Sequence, residues 1–321
     1  MKYSYYPGCS LEKNARSYHV STMAIAKSLG IEFVEVEDWN CCGATEYISI
    51  EKVPAYALVT RNLALAAEQN GSTNLVAPCS ACYLNLKKAD HYLGENVDLR
   101  QKIDLALEAG GLSYQPGSLN VQHLLEIIAV DIGYEEIEAQ VKRPLFNLRV
   151  APYYGCLVPR PAAMGSFDDP EHPTSLDNIL KRLGATVIDF PLKAQCCGGH
   201  MTQISEETAL ELLRRLLKNA ADYKADMIAT LCPMCQLNLD AYQDAVNAHF
   251  GTDYKIPIVY FTQLMGLAFG LPADELGFGS EIVSARPALE KITLEEPKPA
   301  RTRERGKKKT NLPLPTRSEE G

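Results

Sequence analysis

Short apolar runs of strand character alternate along this chain with longer segments whose apolar positions recur at helical spacing, and the order is the same in each half. Lys2–Tyr6 and Arg149–Tyr153 read as first strands. Each leads to a helix, residues 17–29 and 175–183, closed by Gly30 and Gly184; glycine accepts the left-handed turn that stops a helix. A β-rich run follows, Ile31–Val36 and Ala185–Phe190, then a long amphipathic helix, residues 53–69 and 205–221. Third strands are expected at Asn74–Ala77 and Met227–Thr230, and a further related pair, Val121–Gly133 and Val259–Gly270, completes the halves. Such alternation predicts an α/β fold of two duplicated domains, each a small, mostly parallel sheet flanked by helices, related by a pseudo-two-fold axis.

The duplication shows in local sequence as well. Tyr5-Tyr6-Pro7-Gly8-Cys9 echoes in Tyr153-Tyr154-Gly155-Cys156, and Leu75-Val76-Ala77-Pro78-Cys79 in Ile228-Ala229-Thr230-Leu231-Cys232. An offset of about 150 residues is far too long for a solenoid repeat. Domains are therefore expected at 1–145 and 146–292, with a tail at 293–321. That tail carries eight Lys or Arg against five Asp or Glu and should be disordered.

Composition narrows the function classes. With 46% hydrophobic and 22% charged residues among 321, the chain suits two globular domains. The formal charge of the whole chain is −8, and since the tail contributes a net positive charge the folded part is more acidic still, which gives no reason to expect nucleic-acid binding. No run of 18 apolar residues is present to span a membrane, and no leader is evident before Cys9, so a cytoplasmic location is expected. There, neighbouring cysteines favour metal ligation or redox work over structural disulfides.

The ten cysteines make one five-membered pattern twice: Cys9, Cys41-Cys42-Gly43, Cys79-Ser80-Ala81-Cys82, and Cys156, Cys196-Cys197-Gly198, Cys232-Pro233-Met234-Cys235. All three elements of each copy fall just past strand ends, where functional groups collect in parallel sheets. Zinc takes four N/S ligands, so five thiols per set are one too many. A cubane [4Fe–4S] cluster also takes four thiolates, usually from compact runs that are missing here. Glycines at 43 and at 198–199 would let the adjacent cysteine pairs turn. Five ligands suggest a larger or more open iron–sulfur assembly, and spacing carries the argument no further.

The Cys-Xn-Cys-Cys-Gly-Xm-Cys-X2-Cys pattern, present twice over residues 1–292, resembles the CCG cysteine-rich domain and, within it, HdrB, the catalytic B-type subunit of heterodisulfide reductase, with its relatives. Tyr153-Tyr154-Gly155-Cys156-Leu157-Val158-Pro159-Arg160-Pro161 and Cys196-Cys197-Gly198-Gly199-His200 add local agreement. The resemblance implies two noncubane [4Fe–4S] clusters, one on Cys9, Cys41, Cys42, Cys79 and Cys82, the other on Cys156, Cys196, Cys197, Cys232 and Cys235. Zinc in one site is the minor alternative. It also implies reduction or formation of a disulfide such as that of coenzymes M and B, with electrons from an HdrA-like flavoprotein and an HdrC-like ferredoxin-type subunit. Related complexes acting on other sulfur substrates, a relay in quinone- or succinate-linked complexes without disulfide chemistry, and a zinc scaffold are the other readings.

Secondary candidates surround these sets. His200 follows Cys196-Cys197-Gly198-Gly199 and is the candidate proton donor, or a hydrogen-bond partner of a cluster. His123 opens an apolar helix and reads as structural; His19, His91, His172 and His249 read as surface residues. Lys193, Arg160 and Arg16 lie near cysteines as anion binders or as solvated charges. Gly8 and Gly155, preceding the lone cysteines, read as points of close backbone approach.

Overall fold

Among the described residues eight short strands carry the architecture: β1 (Lys2–Tyr5), β2 (Glu32–Glu35), β3 (Asn74–Ala77), β4 (Asn120–His123), β5 (Arg149–Tyr153), β6 (Thr186–Val187), β7 (Met227–Thr230) and β8 (Ile258–Tyr260). They are seen in a computed structural model that describes residues 1–44, 46–70, 73–160 and 164–296. Most of the basic tail, from residue 297 on, lies outside the described residues.

The strands form two four-stranded sheets, ordered β2-β1-β3-β4 and β6-β5-β7-β8. Every pairing in them is parallel. Parallel neighbours need crossovers, and the helices supply them. In the first half these are Arg16–Ser28, Lys52–Asn70, Ser80–Glu95 and Val97–Glu108; in the second, Ser175–Arg182, Glu206–Asp222, Pro233–Ala241 and Gln243–Phe250. The α/β class and the duplication expected from the sequence are what the chain adopts.

Two boundaries differ from the sequence reading. The run 185–190 gives only a two-residue strand. The chain turns away at Pro191, which has no N–H to give a ladder, and Ile188 and Phe190 serve the core instead. The segment 121–133 splits into β4, a three-residue helix and a π-helix, Ile127–Ile132, stopped by Gly133 at φ +86°.

The halves share a core. The helix Arg16–Ser28 of the first packs on Phe261–Ala268 of the second, with Tyr18 stacked on Tyr260 at 4.3 Å between ring centres and 2° between planes. Beside them the hydroxyls of Ser21 and Thr262 lie 2.6 Å apart. One apolar cluster runs through both halves, including Ile25, Leu63, Leu86, Leu180 and Leu264, while a smaller one packs Leu210, Leu213 and Leu217 against β5 and β7.

Candidate functional site

The strand ends deliver the cysteines. Cys9 begins a short helix after β1, while Cys79 and Cys232 cap the helices Ser80–Glu95 and Pro233–Ala241 directly after β3 and β7. Cys82 and Cys235 then stand in the first helical turn. In the first set, Sγ of Cys9 lies 3.5 Å from Cys41 and Sγ of Cys42 lies 3.5 Å from Cys82. In the second, Cys197 and Cys235 are 3.5 Å apart, and Cys156 is hydrogen-bonded to Cys196. Thiols far apart in sequence thus meet in space. The free thiols of Cys79 and Cys232 also share a hydrogen bond, so the two sets meet across the pseudo-axis.

Backbone devices hold this arrangement, and they repeat. Gly8 and Gly155 have φ of +74° and +68°, and a Cβ there would come within 2.8 Å of Cys82 Sγ and 3.0 Å of Cys235 Sγ. The close approach expected at both positions is present. The N–H of Gly43 points at Cys41 Sγ (3.5 Å) and that of Gly198 at Cys196 Sγ (3.3 Å). Tyr6 donates to the carbonyl of Asn40 at 2.6 Å and Tyr153 to that of Gln195 at 2.8 Å, so each buried tyrosine fixes the residue before a cysteine pair.

The sequence reading missed a third device. Asn85 and Asn238, three residues beyond Cys82 and Cys235, reach back to the Cys-Cys-Gly loops. Asn85 donates to Cys42 O at 3.1 Å and to Ala44 O; Asn238 donates to Gly199 O at 2.7 Å. Their signal was available as Cys-X2-Cys-X2-Asn in both copies.

Crowding splits the thiol acidities. Hydrogen bonds from Cys42 and Cys9 hold the Cys41 thiol down to about 2, and those from Cys156 and Cys197 do the same to Cys196. Donation to these neighbours pushes Cys42 up to about 11 and Cys197 up to about 12. Cys82 and Cys235 are raised by hydrogen bonds to Cys42 and Cys197, then by burial. Ionising all five thiols of a set together therefore needs a concentrated positive charge among them. An all-thiol donor set with backbone pressed close behind it fits a multi-iron sulfur group. Among the described residues no three of His, Cys, Asp and Glu are grouped to hold a single metal ion.

A cavity of about 280 Å³ opens beside the second set, lined by Cys156, Cys196 and Cys235 and by apolar side chains including Leu157, Met201, Ile204 and Met234. His200 lines it, with Nδ1 bound to the carboxylate of Glu46 from the other half; that partner was not foreseen. Lys193, Arg160 and Arg16 do not line the cavity. Lys193 pairs with Asp177 at 2.9 Å and Arg160 with Glu171 at 3.9 Å, while Arg16 lies in a separate groove with Glu12 and His19. His123 is wholly buried, and its Nδ1 accepts the N–H of Leu125 at 3.0 Å as a helix cap, which is a structural role. His19 is a correction: it is half-buried, 3.3 Å from the Tyr5 hydroxyl, and burial lowers its pKa.

The CCG cysteine-rich domain matches residues 3–87 and 150–240, more than half of the chain. The B-type subunit of the ferredoxin/F420H2-dependent CoB-CoM heterodisulfide reductase of Methanosarcina acetivorans is 30% identical, over 91% of this chain and 97% of its own length. The chain belongs to the HdrB family of heterodisulfide reductase proteins. Another relative of this HdrB-family chain is the membrane anchor subunit of the 8-methylmenaquinol:fumarate reductase of Wolinella succinogenes, 36% identical over 88% of the chain and 98% of the relative. The fold recurs in a hypothetical protein from Helicobacter pylori at a TM-score of 0.69 and 15% identity, covering 88% of the chain and 52% of that structure. Among the described residues of the HdrB-family chain, no helix is long and apolar enough to cross a membrane.

Proposed function

We propose that this chain is the two-cluster electron-transfer subunit of a larger oxidoreductase complex, built as units 1–145 and 146–292. Cys9, Cys41, Cys42, Cys79 and Cys82 hold one noncubane [4Fe–4S] group, and Cys156, Cys196, Cys197, Cys232 and Cys235 hold the other. The observation that carries this is the double convergence of five thiols with Cys79 against Cys232. Such groups, when bound, supply one-electron steps and an open iron position of Lewis-acid character. The chain's own residues do the rest. Gly8 and Gly155 admit the sulfur atoms, and Asn85 and Asn238 fix the cysteine loops. The apolar cavity wall excludes water, and Glu46 orients His200 so that its Nε2 is the atom that exchanges a proton. The sequence shows no flavin or ferredoxin motif, so partner subunits of those kinds bring the electrons.

The cavity selects the redox partner. Among the described residues it is lined by no Lys or Arg, and Glu46 adds negative charge. A disulfide carrying sulfonate, phosphate or carboxylate groups would meet no lining Lys or Arg, with Arg160 near only at Cys196. An uncharged, quinone-like partner fits the apolar wall, in keeping with the name of the Wolinella relative. The second reading is cleavage or formation of a disulfide such as CoM-S-S-CoB, favoured by the heterodisulfide reductase relatives and by the touching thiol sets.

Anaerobic protein, reduced chemically and mixed with either a menaquinone analogue or the heterodisulfide, tests this. About eight irons per chain are expected from two four-iron groups, with rapid reoxidation by the quinone alone. Reoxidation by the disulfide alone would transfer the assignment to the second reading. Zinc in place of iron would end both.

A further inference from the structure

The two halves present a matched set of buried polar groups that the reading above leaves unused. β4 ends at His123 and β8 at Tyr260, and the strand register makes them equivalent: His123 lies opposite Ala77 of β3, and Tyr260 opposite Thr230 of β7. Two positions beyond Ala77 and Thr230 come Cys79 and Cys232, the thiols that touch across the axis. Both groups are sealed from solvent, His123 at 0% and Tyr260 at 1% exposure. In both, a polar atom lacks a partner: Nε2 of His123 and the hydroxyl of Tyr260. The hydroxyl of Thr230, beside Tyr260, is unpartnered too.

Buried polar groups are nearly always hydrogen-bonded, so three orphans gathered at one junction need an explanation. For His123 the tautomer follows from its contacts. Nδ1 accepts the N–H of Leu125, so the proton sits on Nε2 and that nitrogen is a donor. It lies near Cys232 and makes only loose contacts, outside good hydrogen-bond geometry, with the carbonyls of Pro78 and Leu231, the residues just before Cys79 and Cys232. Those carbonyls are already approached by the Tyr18 hydroxyl, at 3.3 Å each. Tyr260 is held by its stack on Tyr18, and the charges acting on its hydroxyl come first from Cys232, then Cys79 and Cys235.

We propose that Tyr260 and His123 donate hydrogen bonds to sulfur at the junction of the two iron–sulfur groups and so raise their reduction potentials. A donor on a thiolate or sulfide draws electron density from the iron and favours the reduced state. Because Cys79 belongs to one set and Cys232 to the other, donors at this point act on both groups together. They are positioning and tuning residues and exchange no proton with substrate. The inference rests on the reading that both sites bind iron–sulfur groups.

The test is a redox titration of the anaerobic full-length protein followed by electron paramagnetic resonance, with iron content measured first. Tyr260→Phe, at native iron content, is expected to lower the potential by about a tenfold change in the reduction equilibrium, which is 59 mV for one electron. His123→Gln, which keeps a side-chain N–H and an acceptor for Leu125, is expected to hold the potential closer to native than His123→Leu. Should Tyr260→Phe not load iron, 3-fluorotyrosine at that position keeps the shape and strengthens the donor, and a higher potential is expected. Full iron with unmoved potentials in these variants would overturn the donor pair while leaving the cluster assignment standing. Absence of iron from the native protein would instead overturn the cluster assignment.

Discussion

Gly8 and Asn85 show how single positions carry this site. Gly8 combines φ 74° with ψ 160°, a region that is essentially reserved for glycine. Gly8→Ala is expected to cost about 1–3 kcal/mol in backbone strain and to drive a methyl into Cys82 Sγ. Iron per chain should fall toward half, because the second set is untouched; iron analysis checks it. Asn85 and Asn238 are buried one helical turn beyond Cys82 and Cys235, with their amides on loop carbonyls. Asn238→Ala leaves carbonyls without their donor and should destabilise by roughly 1–3 kcal/mol, read by denaturant unfolding with m unchanged. The cysteines were legible in the sequence because ligands are few and their types are diagnostic. The asparagines were not, since Asn at a helical position has many uses until the loop it meets is known.

At the scale of elements, the pattern of strands and crossover helices was readable because parallel sheets buried on both faces impose apolar strand runs and amphipathic helices. Strand length was less so: β6 ends at Val187, with one further bond from the Ile188 N–H to Val150 O, because burial of Ile188 and Phe190 in the core wins over local strand propensity. The helix Glu206–Asp222 illustrates what these elements contribute. Its Leu213 is fully buried in the smaller apolar cluster, and its Ala209 backbone lies under Gly198 of the cysteine loop. Leu213→Ala is expected to cost about 2–5 kcal/mol by transfer and cavity terms. Thermal unfolding of the iron-free protein measures it without interference from the cluster.

Taken as a whole molecule, the duplication does not yield two separate bodies. Tyr18 stacks on Tyr260, Ser21 meets Thr262, and Glu46 reaches His200, so each half supplies parts of the other's surroundings. A core shared in this way predicts one cooperative unfolding transition, with calorimetric and van't Hoff enthalpies equal. Two resolved transitions would contradict the shared core. Residues 1–145 expressed alone should expose the Tyr18 face and self-associate, which light scattering would show.

The sequence by itself determined the class of the fold, the twofold repeat and the ten thiols, because these are matters of periodicity and residue type. Tertiary structure alone decided three things: that Cys79 and Cys232 touch, that the cavity beside the second set is apolar and free of Lys or Arg among the described residues, and that His123 and Tyr260 end on equivalent strands. The reason is the packing of one half on the other. Which residues of two parallel sheets meet across an axis depends on the angle at which their helices nest, and no local pattern in the chain encodes that angle.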